Sequence, residues 1–171
     1  MARGAGVDFS LANATQRNNV IESASSRATL SAKAAEGGVA TPQDVKDTQR
    51  TVVAAAAATN LSGGGIAEGM EDFVSKTSDL EVAKRLLVDM GKLAKATGTD
   101  VAEMMSTAGE VGNQFQGMEK GSAAKAEAIA AVMRGIAKQV QDSRDALGEE
   151  HATKLLNLCM AREDELKPKK K

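Results

Sequence analysis

The stretch "LLVDMGKLAKATGTDVAEMMSTAGEV", residues 86–111, contains two helical runs with one interruption. Ahead of the interruption, Ala83, Leu86, Leu87, Met90, Leu93 and Ala94 recur at the intervals that place side chains on one face of an α-helix. Beyond it, Val101, Met104, Met105, Ala108, Val111 and Phe115 repeat the pattern. Between them stands Thr97-Gly98-Thr99-Asp100. Glycine adopts the left-handed conformation that closes a helix, and Thr or Asp offers a side-chain acceptor to the open amides of the next one. The spacing predicts two amphipathic helices joined by a tight turn. Gly91 lies inside the first and costs about 1 kcal/mol relative to Ala on propensity alone.

The same reading extends both ways along the chain. Toward the C-terminus, "QGMEKGS" is a loop, and Ser122 caps a helix that turns Ile129, Val132, Met133, Ile136 and Val140 inward. Gly148 is expected to separate a last helix, with Glu149 and Glu150 as first-turn acids and Leu155, Leu158, Cys159 and Arg162 on one face. Pro168 in "KPKKK" prevents a normal continuation. Toward the N-terminus, Ser78-Asp79-Leu80-Glu81 has the form of a capping box with Ser78 as the cap. A short helix precedes it over residues 67–77, with Met70, Phe73 and Val74 inward. Gly63 to Gly65 are expected to break the helix before that, which Thr41 caps and Pro42 begins, with Val45, Val52 and Ala56 on its apolar side. Residues 7–36 carry a thin seam of Val7, Leu11, Ala14, Asn18, Ile21, Ser25, Ala28, Ala32 and Ala35, closed by Gly37-Gly38.

No run alternates β-branched and polar residues between turn signals, so no strand is expected. The predicted fold is all-α: an Ala/Gly/Met-rich helical bundle of six to seven helices with an extended N-terminal helix. Its expected divisions are a helical arm over residues 1–38, a helical module over 39–166 and a basic, disordered tail over 167–171. The apolar fraction is 42%, yet aromatic residues make up only 2%, with no Trp or Tyr and three Phe, so each helix has little area to bury. A marginal bundle, or one completed by self-association, follows. Glu81 with Arg85 and Glu150 with Lys154 have the favoured order for helical ion pairs.

A net charge of −1 argues against nucleic acid or a membrane surface as the primary partner. No apolar run is long enough to span a bilayer, and the start "MARGAGVDFSL" lacks the apolar core of a signal peptide, so the expectation is a protein made in the cytoplasm. The single imidazole, His151, has Leu147 and Leu155 one turn away on either side, and the single thiol, Cys159, has no base nearby in sequence. Gly64 and Gly69 have a phosphate-loop interval but are followed by Met70 and Glu71 where a lysine and a hydroxyl residue are needed. Met70, Met90, Met104, Met105, Met118, Met133 and Met160 read as flexible core filler, with a Met-lined binding groove as the alternative. The titratable residues are spread along solvated faces. The sequence therefore predicts no catalytic residue, no metal and no cofactor, and the chain does not read as an enzyme.

The segment "MEDFVSKTSDLEVAKRLLVDMGKLAKATGTDVAEMMSTAGEVGNQF" resembles a region of tail tape measure proteins of tailed bacteriophages and prophages. The residues that carry the likeness are Phe73, Val74, Lys76, Asp79, Leu80, Leu93, Ala94, Ala96, Thr97, Gly98, Thr99, Ala108, Gly109, Val111, Gly112 and Asn113. "KAEAIAAVMRGIAKQ", residues 125–139, is similar to the helix that follows in that family. The resemblance implies a structural virion protein that runs along the tail lumen during tail assembly, made in the host cytoplasm and located in the tail. Its partners would be copies of itself and other tail proteins, such as the tube and an assembly chaperone. The helix-association face, expected either to hold the module together or to dock it on copies of itself, is Leu86, Leu87, Met90, Leu93, Met104, Met105, Ile129, Met133 and Ile136. The alternative reading is a small cytosolic helical adaptor or chaperone-like binding module.

Overall fold

Six helices follow one another: α1 (Ala5–Ala35), α2 (Pro42–Thr59), α3 (Gly63–Thr77), α4 (Leu80–Thr97), α5 (Val101–Asn113) and α6 (Ala123–Leu166). The computed structural model describes the backbone of residues 5–166 and the side chains of residues 14–148, 150 and 151. Among the described residues there is no strand, and the fold is the all-α bundle that the spacing predicts. The basic ending 167–171 lies outside the described residues, as do the side chains of Val7, Leu11, Glu149, Lys154, Leu155, Leu158, Cys159, Met160 and Arg162.

The chain divides into two compact units, Met1–Arg134 and Gly135–Lys171. The boundary expected after residue 38 does not appear in this division, because α1 packs along both α3 and α2. Arg27 on α1 forms a two-pronged ion pair with Glu71 on α3, and Thr29 donates a hydrogen bond to the Thr48 hydroxyl on α2 at 2.9 Å. The predicted stop at Gly37-Gly38 is observed: Gly37 has φ +71°, and the Gly38 amide closes back onto the Lys33 carbonyl at 2.9 Å. Thr41 caps α2 as predicted, and the cap is reciprocal. Its hydroxyl accepts from the Asp44 amide while the Asp44 carboxylate accepts from the Thr41 amide at 2.8 Å.

Helix α3 is the central element, packed most extensively on α5 and α1. It buries Ile66, Ala67, Met70, Phe73 and Val74. Its partner α5 comes so near that a Cβ built on Gly69 would lie 2.9 Å from the Met105 Cβ and 3.0 Å from the Ala102 Cα. Gly109 and Gly112 do the same from the α5 side, the latter leaving room for Thr77, Ile129 and the Phe73 ring. Lys76 then bridges the two helices, donating to the Ser106 hydroxyl at 2.8 Å, to the Ser106 carbonyl at 3.1 Å and to Glu110 at 3.0 Å. The glycine inside α4 has a similar cause: a Cβ on Gly91 would stand 2.7 Å from the Thr59 methyl of α2. Its helix-propensity cost accompanies a close helix crossing.

Several expectations need correction. Gly63 to Gly65 do not break a helix; they are the first turn of α3, because Asn60, at φ 54°, has already ended α2. The cap of α4 is Asp79 rather than Ser78, which lies at φ 55° as the left-handed C-cap of α3. Gly148 does not separate a last helix: α6 continues through it, so positions 149 and 150 are helix interior. The buried face of α2 is Thr48, Val52, Ala55 and Thr59, rotated from the one expected, with Val45 and Ala56 at its margins. Phe115 falls beyond the end of α5 and is half-buried. Glu81 pairs with Lys84 at 2.9 Å, leaving Arg85 to donate to the Gly121 carbonyl at 3.2 Å. Val132 and Val140, expected inward, are exposed.

Two outcomes follow. Gly69→Ala forces α3 and α5 apart, so the lost packing outweighs its gain in helix propensity, and urea unfolding should show a net loss of about 1–3 kcal/mol. Gly148→Ala, where a Cβ meets nothing within 4 Å, should instead raise helicity and stabilise α6 by about 0.5–1 kcal/mol. Asp44 supplies a pH handle. The Thr41 amide, and then its hydroxyl, hold the Asp44 carboxyl below the usual aspartate range. The cap therefore contributes above the unfolded aspartate pKa and is lost as pH falls through the lower folded value. Protection of the first-turn amides of α2 against exchange, taken relative to the intrinsic rate at each pH, should fall on acidification in the native protein and change much less with pH in Asp44→Asn.

Candidate functional site

The nine side chains expected to form an association face are mostly inside the fold. Leu86, Leu87, Met90, Met104, Met105, Ile129 and Met133 are buried, and only Leu93 and Ile136 reach solvent in part. The reason is geometric. Helices α4 and α5 meet across their apolar faces, and Ile129 inserts beside Gly112, so these seams satisfy one another within the first unit. Met70 is buried as well and Met118 is half-buried, so the described methionines are chiefly core filler.

Among the described residues Leu30, Val39 and Val132 are exposed, and apolar surface extends over several positions in two further places. On the second unit, Ile136, Val140 and Leu147 lie along one edge of α6 at intervals of four and seven. Ile136 is half-buried, Val140 is 38% exposed and Leu147 is 63% exposed. At 100° per residue Ser143 falls between the aliphatic positions of this edge, and Arg144 and His151 border it. On the first unit, Val53 is 54% exposed beside Ala54 and Ala57, with Lys46, Gln49 and Arg50 completing a shallow groove of about 420 Å³ on α2. The spacing of Val45, Val52 and Ala56 marks a single apolar side of α2, whereas the alanine run at 54–58 is apolar all round, so periodicity does not single out this second surface.

The principal polar constellation is buried. Asp79 and Lys125 form an ion pair at 3.0 Å with side chains 1% and 6% exposed. Asp79 Oδ1 also accepts the Val82 amide at 3.1 Å, which caps α4, and the Gly121 amide donates to both carboxylate oxygens at 3.1 Å. Ser122 caps α6 through the Lys125 amide, so one short loop presents both the Gly121 amide and the Lys125 ammonium to a single carboxylate. Chemically this is a saturated anchor: every partner of the carboxylate belongs to the chain, and its work is to hold the starts of α4 and α6 together. The capping-box motif signalled a helix start here; no sequence signal paired Asp79 with a lysine so distant in the chain.

Elsewhere, a groove of about 460 Å³ over the start of α3 is lined by Gln16, Arg17, Val20, Ser62, Gly64, Gly65 and Glu68. It places an acidic side chain beside the helix N-terminus. His151 is exposed on α6. Among the described residues, no three His, Cys, Asp or Glu side chains gather as a metal site, and no helix is long and apolar enough to cross a membrane. Comparison with protein-family models, curated proteins and solved structures yields no match for this chain.

The anchor makes an ordered prediction. Asp79→Ala removes a cap and leaves Lys125 charged, buried and unpaired, which should cost about 3–5 kcal/mol in urea unfolding. Lys125→Met should cost less, because two backbone amides still serve Asp79. The double variant Asp79→Ala/Lys125→Met should be less destabilised than the sum of the single changes by about 1–3 kcal/mol.

Proposed function

We propose that this chain is a structural protein of a bacteriophage tail, a tape-measure-like helical module that acts by laying helices against other helices. The observation that carries the reading is where the residues of the resemblance fall. Phe73 and Val74 are the inner face of the central helix α3. Asp79 is the anchor and cap of α4, and Gly98, at φ 65°, is its left-handed C-cap. Gly109 and Gly112 admit α3 and its neighbours against α5. These positions are the caps and close approaches on which the first unit depends, which supports reading the segment as a folded module.

The surface that serves association in this reading is the edge of Ile136, Val140 and Leu147 on the second unit. Three aliphatic side chains fall well short of the roughly 1,000 Å² that an isolated specific interface buries. Pairing through this edge is weak for two molecules and accumulates only when several stand in a row, as in an assembling tail. An adaptor with a Met-lined groove would need accessible methionines, and Met70, Met90, Met105 and Met133 are fully buried, which favours the tail reading.

The test is sedimentation combined with particle analysis. The full-length protein should form larger species as its concentration rises, and it should be found in purified tails of a phage that encodes it. Val140→Asp together with Leu147→Asp should reduce self-association about tenfold or more, since burying a charge opposes the contact, while leaving the unfolding midpoint of the first unit unchanged. A protein that remains monomeric at every concentration and is missing from tail particles would overturn the proposal.

A further inference from the structure

We draw no further inference here: the strongest candidate, the groove over the start of α3 lined by Arg17, Ser62, Gly64 and Glu68, rests on a helix N-terminus with no second observation that points to a ligand.

Discussion

The approach of α3 to α5 sets the terms for the rest of the first unit. Among the described residues Phe73 is the single aromatic ring fully buried there, so the bundle has little aromatic area with which to stabilise itself. It gains contact by distance instead. Gly69, Gly109 and Gly112 remove the side chains that would hold the two backbones apart, and Met105, Lys76, Thr77 and Ile129 occupy the space they leave. Dispersion between closely packed atoms falls off steeply with separation, so such an approach compensates in part for a low apolar area. The methionines suit this geometry, because an unbranched side chain can fill the irregular gaps that glycines create.

Close packing of smooth helices does little to prevent one from sliding along another, and here the polar groups supply position. Asp79 ties the start of α4 to the loop at Gly121 and to Lys125 at the start of α6. Lys76 fixes α3 against α5, and Lys95 reaches the Thr59 carbonyl at the end of α2 at 3.1 Å. A buried ion pair contributes little net stability against a well-packed apolar substitute, but breaking one partner is costly. The network therefore penalises wrong registers more than it strengthens the right one. The first unit thus has aliphatic and small-residue packing for cohesion and a few basic side chains for alignment.

The second unit differs in kind. Its described part is a stretch of α6 in which most positions face solvent and the aliphatic edge is narrow. Helix faces that are satisfied within a unit are unavailable to partners, and most of the side chains expected either to hold the module together or to dock it are core residues. What is left for association is the smaller set of aliphatic positions that the bundle does not use.

Much of this was legible locally. The periodic apolar positions of α4 and α5, the Thr41 cap with Pro42, the stop at Gly37-Gly38 and the turn at Gly98 all depend on interactions within a few residues, and apart from Phe115 they are found in place. Errors arose where two local signals competed or where a distant group decided. Ser78 was the expected cap, and the Asp79 carboxylate holds that position, where it also meets Lys125. A glycine weakens a helix chiefly in its interior; those at 63–65 lie at a helix start, where the cost is small, and the one at 148 is carried within a long helix. The sequence by itself determined that the chain is helical, where most helices end, and which faces are apolar, because hydrogen bonds and side-chain periodicity are local properties of an α-helix. Only the tertiary structure decided which of those faces are consumed, which glycines mark close approaches, and which carboxylate meets which lysine, because these depend on distances between residues that the chain brings together from far apart.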